Sequence, residues 1–302
     1  MSSIDSSLVV TVKVVTYNSS KYVLETLESI KAQTYPYLAL VISDDCSTDK
    51  TVRICKEWVR KNQSRFVSTK ILESPVNTGV SANGNRAEAA CETKWVKGIA
   101  GDDLLLPNCI QDNMDYVAEH PDTVYLFSKI KAFGHSQSKI LEVENALDYS
   151  FFDLTPKQQY EKLIFSGNYI SAPTCFSNRE MTEKLGVKND ERIPMLEDYP
   201  KWINALKKGV TFHFMDKITI AYRVSENSLT TASIPSEKFI RSQKLFYYYY
   251  LRDEYIKHFG LEKVINDEIN GYIEIYNGYR CYSSLFTSKI YFYLFKNRKK
   301  KH

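Results

Sequence analysis

Residues 8–18 read Leu-Val-Val-Thr-Val-Lys-Val-Val-Thr-Tyr-Asn. The stretch Leu8 to Val15 is almost continuously apolar and largely β-branched, the pattern of a strand covered on both faces rather than one with a wet side. It stops at the polar triplet Thr16-Tyr17-Asn18. From Ser20 to Gln33, Val23, Leu27 and Ile30 recur at helical spacing behind a serine cap, and Leu38 to Ser43 forms a second short apolar strand. The alternation continues: helix over Thr51 to Asn62, strand over Val67 to Leu72, helix over Ser81 to Cys91, strand over Trp95 to Ala100, helix over Asn108 to Ala118, strand over Val124 to Phe133. Parallel neighbours need crossovers of about a dozen residues. The spacing therefore predicts an α/β fold with a mainly parallel, doubly wound sheet flanked by helices.

Beyond Gly134 the pattern loosens through an acidic and polar stretch to Asp153. A helix is expected from Pro156 to Phe165 and another from Glu197 to Lys208, stopped by Gly209, with two short strands over Thr211 to Met215 and Ile218 to Arg223. From Ser236 the chain is helical in pattern and rich in tyrosine, and Tyr247 to Tyr250 cannot all lie on one side of a helix. A C-terminal helical subdomain is expected there.

Composition bounds the function. The 302 residues are 43% hydrophobic and 25% charged, with a net charge of +4, the balance of an ordinary globular chain. Six cysteines without a Cys-x-x-Cys pair argue for a reduced compartment and against structural zinc. No run approaches the eighteen apolar residues of a membrane span, and the N-terminus has no secretion-signal pattern, so the cytoplasm is the expected location. Six basic residues and no acids lie between Ser284 and His302, leaving the remainder slightly acidic and a general nucleic-acid surface unsupported. That segment also carries bulky aromatics, a mixture suited to the inner face of an anionic membrane or to a docked helix with a solvated tail. Gly-x-Gly-x-x-Gly and the P-loop pattern are both missing, which disfavours dinucleotide redox chemistry and P-loop phosphotransfer.

Ligands of open α/β sheets sit beyond the carboxyl ends of the strands. Three of those ends are chemically unusual: Thr16-Tyr17-Asn18, Ser43-Asp44-Asp45-Cys46-Ser47-Thr48-Asp49 and Gly101-Asp102-Asp103. Adjacent carboxylates repel unless a cation or donors offset them. Asp45 beside the Tyr17 ring suits a base edge and a stacking face, although Tyr17 also reads as a core ring. Ser47, Thr48 and Asp49 read as helix capping. Asp102 and Asp103 suit Mg²⁺ or Mn²⁺, or else a turn and cap before Pro107. None of the five histidines falls in these motifs.

The order of these motifs, with Asn77-Thr78-Gly79-Val80-Ser81-Ala82-Asn83-Gly84-Asn85-Arg86 between them and Leu196-Glu197-Asp198-Tyr199 later, resembles the family-2 inverting glycosyltransferases of GT-A (Rossmann-like) fold, over about Val10 to Arg223. The resemblance implies a catalytic domain over 1–230, its nucleotide-sugar half about 8–134 and its acceptor half about 135–230, followed by the helical region and basic aromatic tail of 231–302. It implies that Val15, Thr16, Tyr17, Asn18, Asp44, Asp45, Asn85, Arg86 and Asp102 form the nucleotide-sugar site. Asp103, with Asp102, would hold Mn²⁺ or Mg²⁺. Asp198, or failing it Glu197, would be the catalytic base. The implied reaction moves a sugar from a nucleotide-diphosphate donor, UDP-linked in this reading, to a saccharide or lipid-linked acceptor in surface-polysaccharide synthesis. The sequence departs from the pattern at Ala100, Cys46 and Val224-Ser225, where many relatives carry Asp, Gly and a later His. A noncatalytic nucleotide-sugar or carbohydrate-binding protein is the alternative; nucleotidyl transfer lacks its basic glycine-rich loop.

Overall fold

Val10, Val12 and Val14 are fully buried on one face of the first strand, each contributing about 1.5–3 kcal/mol relative to exposure. This strand organises the molecule. A computed structural model describes residues 5–134, 136–225 and 236–276. In chain order the elements are β1 (Val10–Thr16), α1 (Val23–Lys31), β2 (Leu38–Asp44), α2 (Thr51–Asn62), β3 (Ser68–Glu73), α3 (Val80–Ala89), β4 (Trp95–Ala100), β5 (Leu104–Leu105) and α4 (Cys109–Glu119). There follow β6 (Tyr125–Gly134), α5 (Gln137–Ala146), α6 (Pro156–Ser166), β7 (Phe176–Asn178), α7 (Arg179–Lys184), α8 (Tyr199–Lys207), β8 (Phe212–Val224), α9 (Glu237–Phe246), a π-helical turn Tyr247–Leu251, α10 (Arg252–Phe259) and α11 (Leu261–Tyr276).

One sheet of eight strands runs β3-β2-β1-β4-β7-β6-β8-β5. β3, β2, β1 and β4 are parallel, as are β6 and β8, while β7 pairs antiparallel with both β4 and β6. The mainly parallel sheet flanked by helices is thus present, with the short β7 joining two parallel blocks. Register places Thr16 beside Asp44, Asp44 beside Glu73 and Val15 beside Ala100. The strand ends carrying the unusual polar residues therefore share one rim.

Several local expectations are corrected. The two short strands after Gly209 are one strand, β8, whose pairing with β6 shifts register near Phe127 to Ile130. A bulge absorbs the polar Asp216-Lys217 that reads as a break. The polar stretch after Gly134 contains α5, capped by the Ser136 hydroxyl. The first helix begins at Val23, not Ser20. Glu197 precedes α8, and Asp198 is its N-cap.

A core beneath β1, β2 and β4 gathers Leu27, Ile30, Trp58 and Ile110. A second core gathers Phe127, Trp202, Phe212, Phe246, Tyr247 and Tyr255. The described C-terminal helices thus share a core with β6, α8 and β8. The tyrosine quartet divides as its spacing requires: Tyr247 and Tyr250 are buried, Tyr248 and Tyr249 exposed. The basic aromatic segment 284–302 lies outside the described residues.

Candidate active site

At the rim the polar residues sort into those that face outward and those that hold the loops. Tyr17 faces outward, half exposed at 50%. Asn18 beside it adopts φ 49° and braces the neighbouring loop, its Oδ1 accepting from Thr48 N at 2.9 Å while its own N–H donates to Ser47 Oγ at 2.8 Å. Asp44, expected to bind nucleotide, is buried and occupied: it accepts from Thr16 Oγ1 at 2.8 Å and from Ser47 N and Oγ at 2.7 and 2.6 Å. A carboxylate is the acceptor best able to gather three donors, so Asp44 and Thr16 lock the turn. Val15, partly buried, packs with Val41, Ala87 and Val96 under α3.

Asp45 is also buried. Thr78 N and Gly79 N donate to Oδ2 at 2.9 and 2.7 Å, and Thr78 Oγ1 donates to Oδ1 at 2.6 Å. Arg86 reaches the same Oδ1 at 3.4 Å and bonds Thr78 Oγ1 at 2.8 Å. The chain's own donors thus fill the acceptor sites that the sequence offers to a base edge. Cys46 follows at φ 67°, a left-handed conformation that favours glycine.

The acidic turn follows β4. A Cβ on Gly101 would lie 2.9 Å from Thr16 Cγ2 and 3.0 Å from Ser19 Oγ, so glycine lets the turn lie against the end of β1. Asp103 Oδ1 accepts from Arg223 N at 2.8 Å. The Arg223 guanidinium lies 4.2 Å from the Tyr22 ring and 4.5 Å from the Phe133 ring, and donates to Asp102 O and Glu25 Oε2, each at 2.7 Å. Burial, and then the charge of Asp102, hold Asp103 well above the usual carboxylate range. Burial raises Asp102 as well, opposed by Arg223. Two such carboxyls are stabilised in their charged form by a divalent cation. Among the described residues no cluster of three or more His, Cys, Asp or Glu side chains forms a cage. The pair fits a hard ion whose remaining positions go to water and phosphate oxygens.

The second acidic pair begins α8. Asp198 accepts from Tyr199 N at 2.7 Å and from Asn168 Nδ2 at 2.8 Å. Burial raises its pKa, and these two donors oppose the rise. Glu197 is pushed up to about 7 by burial and then by the Asp198 charge. No hydrogen bond or ion pair joins Asp198 to Asp102 or Asp103 among the described residues.

The loop leading to this pair is docked on α3. Ser81 N and Oγ donate to Pro194 O and Ile193 O at 3.2 and 2.6 Å. Asn85 donates to Asn189 O at 3.0 Å and Glu191 Oε1 at 2.8 Å. Asn85, expected near nucleotide, therefore faces the loop before Glu197, while its neighbour Arg86 faces Asp45.

Sequence reasoning passed over three residues. Asn83 donates to Thr16 O and Ser43 O at 3.3 and 3.1 Å, stapling two strand ends. Arg223 was visible only as a strand end. Asn168 had no signal beyond following a glycine.

The family model for glycosyl transferase family 2 matches residues 11–186, a span that holds the Tyr17, Asp45 and Asp102-Asp103 segments and ends before Glu197-Asp198. An uncharacterized glycosyltransferase of Methanocaldococcus jannaschii is 26% identical over 256 residues, covering 83% of this chain and 81% of the relative. The poly(ribitol-phosphate) beta-N-acetylglucosaminyltransferase TarS of Staphylococcus aureus is 25% identical over 205 residues, covering 64% of this chain and 35% of the relative. The structure of S. aureus TarS 1–349 in complex with UDP-GlcNAc superposes with a TM-score of 0.62 at 22% identity, covering 86% of this chain and 70% of that one. That last likeness is one of fold.

Proposed function

This chain belongs to glycosyl transferase family 2, and from that premise we propose that it transfers a sugar from a UDP-linked donor to a saccharide or lipid-linked hydroxyl, with inversion, in surface-polysaccharide synthesis. The observation that carries the reading is two buried couples of sequence-adjacent carboxyls held by fixed donors, Asp102-Asp103 in the turn after β4 against Arg223 and Glu197-Asp198 at the N-terminus of α8 against Asn168 and Tyr199 N, each with its acids raised by burial. Environments that shift carboxyls in this way mark acid–base and cation chemistry.

In this reading the base stacks on the exposed ring of Tyr17, over a floor set by Asp45, Thr78 and Arg86. Asp102 meets the ribose. Asp102 and Asp103 would hold Mn²⁺ or Mg²⁺, whose charge offsets that developing on the leaving diphosphate. Arg223 keeps the acidic turn in place through its contacts to Asp102 O and Asp103. Asp198 takes the proton of the acceptor hydroxyl as its oxygen bonds the anomeric carbon. The bond from that carbon to the phosphate oxygen breaks, and the nucleoside diphosphate leaves from the opposite face.

Among the described residues no helix is long and apolar enough to cross a membrane. We place the enzyme in the cytoplasm, with the basic aromatic segment 284–302 against the anionic inner leaflet. Loss of vesicle partition on deleting 288–302 is expected; unchanged partition would reject that placement.

The reaction is tested with a panel of nucleotide sugars, with and without Mn²⁺. Asp198→Asn is expected to lower transfer by about 10²–10⁴-fold, the range of general-base catalysis, while UDP binding by calorimetry persists. Undiminished transfer would reject Asp198 as the base. Binding of the donor without turnover in the native chain, across the panel, would favour a noncatalytic role.

A further inference from the structure

α6 ends at Ser166, where Gly167 at φ 116° turns the chain out of the helix. The next residue, Asn168, has its amide orientation fixed at both ends. Its Oδ1 accepts from Ile170 N at 3.0 Å, and its Nδ2 donates to Asp198 Oδ2 at 2.8 Å. A carboxylate cannot donate, so only this orientation satisfies both partners. The two segments are also tied beside the contact: Tyr199, the first residue of α8, donates from its hydroxyl to Leu163 O of α6 at 2.5 Å. The other Asp198 oxygen accepts from Tyr199 N, so among the described residues each oxygen takes one donor from another residue.

We propose that Asn168 is a positioning residue for the reaction: its amide holds the Asp198 carboxylate in one rotamer and favours its ionised form, leaving Oδ2 to receive the acceptor's proton. This rests on the reading of Asp198 as the base. It also distinguishes Asp198 from Glu197, which accepts no side-chain hydrogen bond among the described residues. The charged groups around Asp198 are Glu197 and Lys201 of its own segment, with Lys13 of β1 acting on Glu197. Asn168 supplies a neutral donor from a separate element. A donor to the ionised form lowers a carboxyl's pKa, so removing it shifts the fraction of active base toward higher pH.

The test is the pH dependence of kcat for wild type, Asn168→Ala and Asn168→Asp, with donor KM and UDP affinity measured alongside. Asn168 is exposed, so both variants should fold, and thermal melting checks this. Asn168→Ala is expected to lower kcat about 10-fold near neutral pH, with donor KM and UDP affinity unchanged, and to move the acid limb upward so that part of the loss recovers at high pH. Asn168→Asp, which puts a second carboxylate beside the base, should move that limb further. An equal loss at every pH, or a change in donor KM alone, would overturn the proposal, as would wild-type kcat in both variants. Asp198→Asn separates the two claims. Full activity there defeats the assignment of the base itself. Loss there, with Asn168→Ala normal, defeats only the role of Asn168.

Discussion

Glu197 and Asp198 are adjacent in sequence and differ in surroundings. Asp198 has two donors on its carboxylate, whereas Glu197 is pushed up to about 7 by burial and by the Asp198 charge. A raised carboxyl binds a proton in the folded state that the unfolded chain has already released. Its contribution to stability is therefore present below the unfolded value of 4.5 and is lost as pH rises through the folded value. Urea midpoints between pH 5 and pH 7.5 should fall for the native protein and fall less for Glu197→Gln; parallel curves would show that Glu197 does not titrate in that window. Asp103→Asn is expected to weaken Mn²⁺-dependent UDP binding by about 10-fold or more, one lost charge contact to the ion, with metal-free binding unaffected. Equal affinities in calorimetry would remove Asp103 from the metal site. Residue roles were only partly legible. Tyr17 keeps an exposed ring at a strand end, as its position suggests, but Asp44 and Asp45 look alike in sequence. That both are buried and spoken for depends on Ser47, Thr78 and Gly79 folding back on them, which no spacing rule encodes.

At the scale of elements, the seating of α3 decides where the second acidic pair stands. Gly79 at φ 91° caps α3, and a Cβ there would lie 2.6 Å from Pro194 Cβ and 2.7 Å from Pro194 O. Gly79→Ala should cost about 1–3 kcal/mol, from overpacking and a left-handed backbone. It should also lower kcat more than UDP affinity, because the loop it displaces leads to Asp198. A variant with normal kcat would show that this docking is incidental to the base. Further along α3, Glu88 pairs with Lys13 of β1, whose alkyl chain lies 3.2 Å from where a Gly98 Cβ would stand. Both side chains keep some solvent contact, 16% and 27% exposed. Lys13→Met alone should thus cost about 3 kcal/mol, the low end for breaking a buried pair, and Lys13→Met with Glu88→Leu should recover most of it. Non-additivity in denaturant titrations is the check. The strands and helices up to β6, apart from the two-residue β5, were legible from their alternation and apolar positions. α5 and β8 were not, since α5 buries only Ile140 and β8 carries polar residues at a bulge.

For the whole molecule, the sheet brings chain segments from residue 16 to residue 223 to one rim, and the second core fixes β6, α8 and β8 against the C-terminal helices. Tyr250 makes that link specific: its hydroxyl donates to Asp190 Oδ2 at 2.9 Å and accepts from Asn204 Nδ2 at 3.0 Å, while Ser242 Oγ accepts from Met195 N at 3.2 Å. The C-terminal helices thereby support the loop that carries Glu197 and Asp198. The sequence could place helices there but not this attachment, because tyrosine hydroxyl partners are set by tertiary packing. In the proposed reaction the donor diphosphate and cation gather at Asp102-Asp103 with the nucleotide base on Tyr17. The most direct measurement is a crystal structure of the protein with UDP and Mn²⁺. The uracil is expected stacked on Tyr17 and the ion between the diphosphate and Asp103; a nucleotide bound away from this rim, with Tyr17 and Asp103 both untouched, would contradict the assignment of the site.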